Sequence, residues 1–242
     1  MKRTSQSLAI LLLLLTSLSV AQAQTPATAP HGTASAQPAA SAEAIWADLM
    51  AGNKRYVTGK SEAHDLVQLR QSLAKDQHPK VVVLGCSDSR VPPEVLFDQT
   101  LGDLFVVRSA GNIAGAIGLG SIEYGVEHLG SSVLVVLGHT SCGAVKAACA
   151  GGKAPSSNLQ AIVDKIEPAV VRARSHAQAD ELVDAAVREN VQQSATDILA
   201  SSAVLKHEFE AGKLTIIEAV YSLDTGEVAR LGKLASAATA AH

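Results

Sequence analysis

Two short stretches, Cys86-Ser87-Asp88-Ser89-Arg90 and His139-Thr140-Ser141-Cys142, supply two thiols, an imidazole, a carboxylate and a guanidinium. Two thiolates and a neutral imidazole are a ligand set that zinc favours, and three protein ligands leave a fourth position open for chemistry. A purely structural zinc takes a fourth fixed ligand. The remaining thiol, Cys149, lies two helical turns beyond Cys142, and no second histidine is close to either motif, which leaves Asp88 as the one available fourth ligand. Zinc held by Cys86, His139 and Cys142 would bring the pKa of a bound water from roughly 15.7 towards 7 in favourable sites. The implied chemistry is a hydroxide nucleophile available near neutral pH. Asp88 and Arg90 are two residues apart and would point the same way in an extended segment, where the Arg fork can grip the carboxylate bidentately. Such a pair keeps Asp88 ionised, either to orient the hydroxide or to bind the metal; the alternative is a surface ion pair of little consequence. In an oxidising compartment, a Cys86–Cys142 disulfide competes with metal binding whenever metal is absent.

Each motif follows an apolar run that reads as a buried strand, Val81–Leu84 before Cys86 and Ser132–Leu137 before His139. Helices are predicted from about Glu43 to Tyr56 and over Leu66–Lys75, Ile117–His128, Gly143–Ala150, Leu159–Ser175 and much of Glu181–Ala211. Further strands are predicted at Leu104–Val107 and Leu214–Tyr221, and Asp224-Thr225-Gly226 turns the chain into an edge strand through Val228. Strands interleaved with helices predict an α/β fold with a mainly parallel central sheet, an antiparallel edge strand and helices on both faces. Ligand sites in such folds form at the carboxyl ends of the strands, where both motifs lie. Arg108-Ser-Ala-Gly-Asn112 after the second strand is small enough for backbone to approach something closely. Gly143 would place a backbone N–H at a helix start, facing a ligand held beside Cys142. Cys149 reads as a small core residue. The other histidines have no ligand-like spacing.

The first residues read as a processing signal. Lys2 and Arg3 precede the apolar run Leu8–Val20, which is short for a membrane span, and Ala21-Gln22-Ala23 has the small-x-small ending that a signal peptidase reads. The expectation is a signal peptide over 1–23, a flexible linker over 24–42, a catalytic domain over 43–235 and a small-residue tail over 236–242, in a periplasmic or secreted protein with no membrane insertion after cleavage. The formal charge of −3, which becomes more negative once Lys2 and Arg3 are removed, gives no sign of an anionic backbone or lipid surface as a partner. Nucleic acid is therefore not expected to bind. Aromatic residues make up 3% of the chain against 47% hydrophobic residues overall, so the core must be built from aliphatic side chains.

These residues resemble the β-class carbonic anhydrases. Cys86-Ser-Asp-Ser-Arg90-Val91-Pro92, Phe105-Val-Val-Arg108-Ser-Ala-Gly-Asn112, Ser121-Ile-Glu-Tyr124-Gly and Gly138-His139-Thr-Ser-Cys142-Gly-Ala occur in the family's order, over roughly Glu43 to Leu234. The resemblance implies one zinc per chain on Cys86, His139 and Cys142, with Asp88 and Arg90 as the catalytic dyad. It implies reversible hydration of carbon dioxide to bicarbonate by zinc-bound hydroxide, and a homodimer, often paired into tetramers. Gln77, Val91, Phe105, Tyr124 and the Gly143 backbone match positions of a plant-like substrate pocket, partly donated across the dimer interface. A bicarbonate-inhibited subset uses a Trp, an Arg and a Tyr in a side pocket. Arg108 and Tyr221 match two of these, but Val83 stands in the Trp position, which predicts weak bicarbonate inhibition. Hydrolysis of carbon disulfide or carbonyl sulfide on the same scaffold is an alternative reading. So is a non-enzymatic zinc-binding or thiol redox protein, against which the Asp88–Arg90 pair and Gln77 argue.

Overall fold

The computed structural model describes residues 40–234. The predicted signal peptide, nearly all of the predicted linker and the predicted tail lie outside the described residues. The first helix, α1 (Ala42–Val57), starts where Ser41 accepts a hydrogen bond from the Ala44 N–H at 3.2 Å, an N-cap that satisfies one of the orphan donors of the first turn. Its inner face buries Ile45, Trp46 and Leu49. Helix α2 (Leu66–Ser72) is capped by Asp65 and buries no residue.

Strands β1 (Val81–Cys86), β2 (Leu104–Ser109), β3 (Val133–His139) and β4 (Thr215–Tyr221) pair in parallel, and β5 (Val228–Lys233) closes the sheet antiparallel to β4. The order is β2-β1-β3-β4-β5. Every residue of β1 and β3 is buried, as expected of central strands covered on both faces and written as unbroken aliphatic runs. Val82, Leu84 and Cys86 join one core with Ile122, Val145, Ile166, Val170, Val187 and Val191. These come from α4 (Ala116–Glu123), α5 (Gly143–Ala150), α6 (Ser157–Arg174) and α7 (Leu182–Ser201). Val81 and Val83 face the opposite core, built with α1 and the short α3 (Pro93–Leu96). The predicted fold class is the observed one.

Local differences have local causes. The predicted Ile117–His128 helix finishes in a single π turn, Tyr124–His128, where Gly125 lies so close to β1 that a Cβ would sit 2.7 Å from Val82 Cγ2. The stretch 181–211 is two helices, α7 and α8 (Ala203–Glu210), because Ser202 adopts an extended conformation and caps α8 by accepting from the Leu205 N–H. Its hydroxyl also donates to Glu123 at 2.5 Å. Helix α3, opened by Pro93, was not expected. No described helix is long and apolar enough to cross a membrane.

Candidate metal centre

From β1 the chain moves to β2 on one side and then returns to β3 on the other. The carboxyl ends of β1 and β3 therefore flank a topological switch point, where loops diverge and leave a crevice. Cys86 is the last residue of β1 and His139 the last of β3; Cys142 follows as the N-cap of α5. Positive φ at Ser141, 57°, turns the backbone so that the cysteine comes back beside the histidine.

The ligand atoms of Cys86, His139 and Cys142 all lie within 4.8 Å of one another, and all three residues are buried. His139 Nδ1 is 2.9 Å from the Thr140 carbonyl oxygen. A carbonyl only accepts, so the proton is on Nδ1 and Nε2 carries the free lone pair. That Nε2 is buried and has no hydrogen-bond partner, an arrangement that costs free energy unless a cation takes the lone pair. The Cys142 thiol lowers the Cys86 thiol well below the ordinary thiol range. The backbone N–H groups of Gly111 and Asp88 add to this, and burial opposes it. Cys142 is pushed up, by Cys86 first and by burial second. A bound dication would favour the thiolate form of both sulfurs. The donor set fits a metal ion such as zinc.

Asp88 stands beside this cluster rather than in it. Its Oδ1 accepts from Arg90 Nε at 2.9 Å and from the Arg90 backbone N–H at 3.0 Å, and its Oδ2 accepts from Arg90 Nη2 at 2.8 Å. The pair forms in a tight turn, closed by Val91 N–H to the Asp88 carbonyl, and not in the expected extended segment. Arg90, more than the opposing burial, holds the Asp88 carboxyl well below the usual carboxylate range. Its Oδ2 is 3.9 Å from His139 Nε2, beyond hydrogen-bond range. Arg108, at the end of β2, donates to the Cys86 carbonyl at 2.9 Å and to the Asp88 carbonyl at 2.6 Å. It clamps the loop that carries ligand and carboxylate. Tyr221 spends its hydroxyl on Tyr56 at 3.2 Å, and Val83 is buried in the α1-side core.

The remaining predicted site residues divide by position. Gly143 is the first residue of α5, where the N–H has no helical acceptor. With Ala110, Ala147, Leu159 and Ile162 it borders an apolar groove of about 490 Å³. Val91 is fully buried in the α1-side core. Phe105 and Tyr124 face each other, ring centroids 6.1 Å apart, but Phe105 pairs with Val82, four residues before Cys86. Gln77 is exposed and precedes β1, whose length puts Cys86 about 17 Å beyond Val81. Within one chain Gln77 and Phe105 lie towards the other end of the sheet from the metal ligands. Cys149 is half-buried against the core, and burial pushes its thiol up.

The close backbone approach expected over 108–112 is made at Gly111, while its partner Asn190 escaped sequence reasoning. The Gly111 N–H points at Cys86 Sγ, 3.3 Å away, and Asn190 Nδ2 donates to the Gly111 carbonyl at 2.8 Å. A lone amide between Val187 and Val191 on the apolar side of a helix was the available signal.

The family model described as carbonic anhydrase matches residues 81–228. The chain belongs to the carbonic anhydrase family. It is 39% identical over 187 residues to carbonic anhydrase 2 of Mycobacterium tuberculosis, an alignment covering 76% of this chain and 89% of that one. Among solved structures it resembles the Coccomyxa β-carbonic anhydrase in complex with acetazolamide, at 26% identity and TM-score 0.65, over 81% and 86% of the two chains. It also shares the fold of tetrameric β-carbonic anhydrases from Sordaria macrospora, at 22% identity and TM-score 0.63, over 78% and 98%.

Proposed function

We propose that this protein is a zinc-dependent carbonic anhydrase that interconverts carbon dioxide and bicarbonate. The observation that carries the reading is the buried Cys86–His139–Cys142 cluster with an ionised, Arg90-gripped Asp88 beside it. Zinc, when bound by those three residues, would supply the Lewis acidity that lets water lose a proton near neutral pH. The chain's own residues do the rest. Asp88 accepts a hydrogen bond from the attacking water and aims its lone pair at the substrate carbon; Arg90 keeps that carboxylate ionised and fixed. The free N–H of Gly143, at the positive end of α5, faces the oxygen on which negative charge grows. The apolar groove beside Gly143 suits a small uncharged gas better than its charged product.

Gln77, Phe105 and Tyr124 complete this pocket only if a second copy brings its own strand ends to the metal ligands of the first. We therefore assign them to the partner's site in a homodimer. The edge position of β2 supports this assembly, as do the bare α2 and the 86% exposure of Ile117. Pairing of dimers into a tetramer extends the same reading, as in the Sordaria proteins. Export follows from the basic start and apolar run of residues 1–23; N-terminal sequencing of the mature protein would test it, and recovery of the intact chain from the cytoplasm would refute it. The catalytic reading is tested by stopped-flow hydration of carbon dioxide by zinc-loaded protein. A rate no greater than that of buffer alone would overturn it.

A further inference from the structure

Helix α7 supplies no metal ligand, yet it packs on residues that adjoin His139 and Cys86. On one side Val187 and Val191 press against Gly138, the residue before His139; a Cβ at Gly138 would lie 2.5 Å from Val191 Cγ2. On the other side Asn190, 1% exposed, reaches the turn that follows β2 and donates to the Gly111 carbonyl. Gly111 adopts φ 74° and ψ 23°, a left-handed conformation that glycine tolerates, and Ile166 and Ala144 close over its Cα. One face of this residue is therefore held by Asn190, while its N–H points the other way, at Cys86 Sγ.

We propose that Asn190 is a positioning residue for the metal centre. By fixing the Gly111 carbonyl it aims the Gly111 N–H at the Cys86 sulfur, and so sets how much charge that sulfur gives to a bound metal. A hydrogen bond to a ligand sulfur fixes the direction of its lone pairs and draws electron density from it, and loss of such outer contacts costs about 10–100-fold in metal affinity. Asn190 is well suited to this task because an amide donates without bringing charge. An aspartate of the same shape would place a second anion behind the thiolates.

The inference rests on the zinc reading, and its test separates the two. Zinc affinity is measured by competition with a chromophoric chelator, and the sulfur-to-cobalt charge-transfer band is recorded on cobalt-substituted protein. In Asn190→Leu, branched at the same carbon but unable to donate, zinc should bind about 10–100-fold more weakly, and the band should move to longer wavelength as the sulfur becomes more electron-rich. Asn53→Leu is the control. Asn53 is as buried as Asn190 and clamps the Leu96 carbonyl, the Gly226 carbonyl and the Val228 N–H in the α1-side core. It should lower the thermal midpoint and leave metal affinity and spectrum unchanged. Should Asn190→Leu fail to fold, Asn190→Ser, too short to reach Gly111, is read in the same way. Wild-type affinity and an unshifted band in the folded Asn190 variant would overturn the proposal. So would an equal change in Asn53→Leu, which would make the effect one of general stability. Wild-type protein that takes up neither metal would sink the zinc reading and this inference with it.

Discussion

Replacing Asp88 by Asn tests the catalytic geometry at its centre. The carboxylate accepts three hydrogen bonds from Arg90, at 2.8, 2.9 and 3.0 Å, two of them from the guanidinium. An amide offers one oxygen in place of two, so either one guanidinium bond is lost or an NH2 donor faces the Arg90 donors. The remaining group is neutral, and the side turned towards the reacting water presents a donor where an acceptor is needed. Removing an orienting or proton-handling group of this kind typically costs about 10²–10⁴-fold in rate, or about 2.7–5.5 kcal/mol of transition-state stabilisation. The stability cost should be small, because the Arg90 side chain is 57% exposed and such pairs are screened by solvent. Zinc content should also hold, since Asp88 lies outside the cluster of three ligand atoms. The assay is stopped-flow hydration of carbon dioxide with zinc measured on the same sample. A folded, zinc-loaded Asp88→Asn protein that turns over near the wild-type rate would show that Asp88 does not orient the nucleophile.

Cys142→Ser should lose most bound zinc in elemental analysis, and unchanged content would refute the ligand assignment. Glu218, 5% exposed in β4, has its carboxyl pushed above the ordinary 4.5 by burial. An acid raised in the folded state contributes stability that is present below its unfolded pKa and lost as pH rises through the folded value. Glu218→Gln should therefore melt higher than wild type at neutral pH, with the gap closing as pH falls towards 4.5; a gap independent of pH would contradict this. Gly138→Ala should overpack the α7–β3 contact and cost about 1–3 kcal/mol in urea unfolding, and a neutral effect would mean that α7 can shift away. Bicarbonate should inhibit only weakly, because Arg108 and Tyr221 are engaged on backbone and on Tyr56; cooperative inhibition would show that the side pocket forms without its Trp.

The sheet was legible because Val81–Leu84 and Val133–Leu137 are unbroken aliphatic runs, which a doubly covered strand requires. The Cys86–His139–Cys142 cluster was legible because its members end or closely follow those runs. Much of what the sequence hid depends on contacts between distant residues, and one part on the choice between two local backbones. The Asp88–Arg90 grip was foreseen, but its backbone was not, since a turn closed by one N–H and an extended segment both bring residues two apart together. The break at Ser202 was missed because the helical pattern continues through it, and the bond to Glu123 that adds to the Leu205 cap in rewarding the interruption comes from 79 positions earlier. The closeness of backbone at 108–112 was expected, while its partner in Asn190 was not, because the two are likewise 79 residues apart.

The ligand-bearing strands have a consequence for motion. Local opening needs few buried contacts to break, and β1 and β3 each lie between two paired neighbours with every residue buried. Amide protons along these strands should exchange with solvent only when the whole domain opens, while those of α2, which buries nothing, should exchange within local fluctuations. Cys86 and His139 end the slow strands, so a change in the spacing between the strand ends should require that same global opening. Breathing should fall to the rim, and an occupant of the crevice should meet walls that open far more rarely than α2 does.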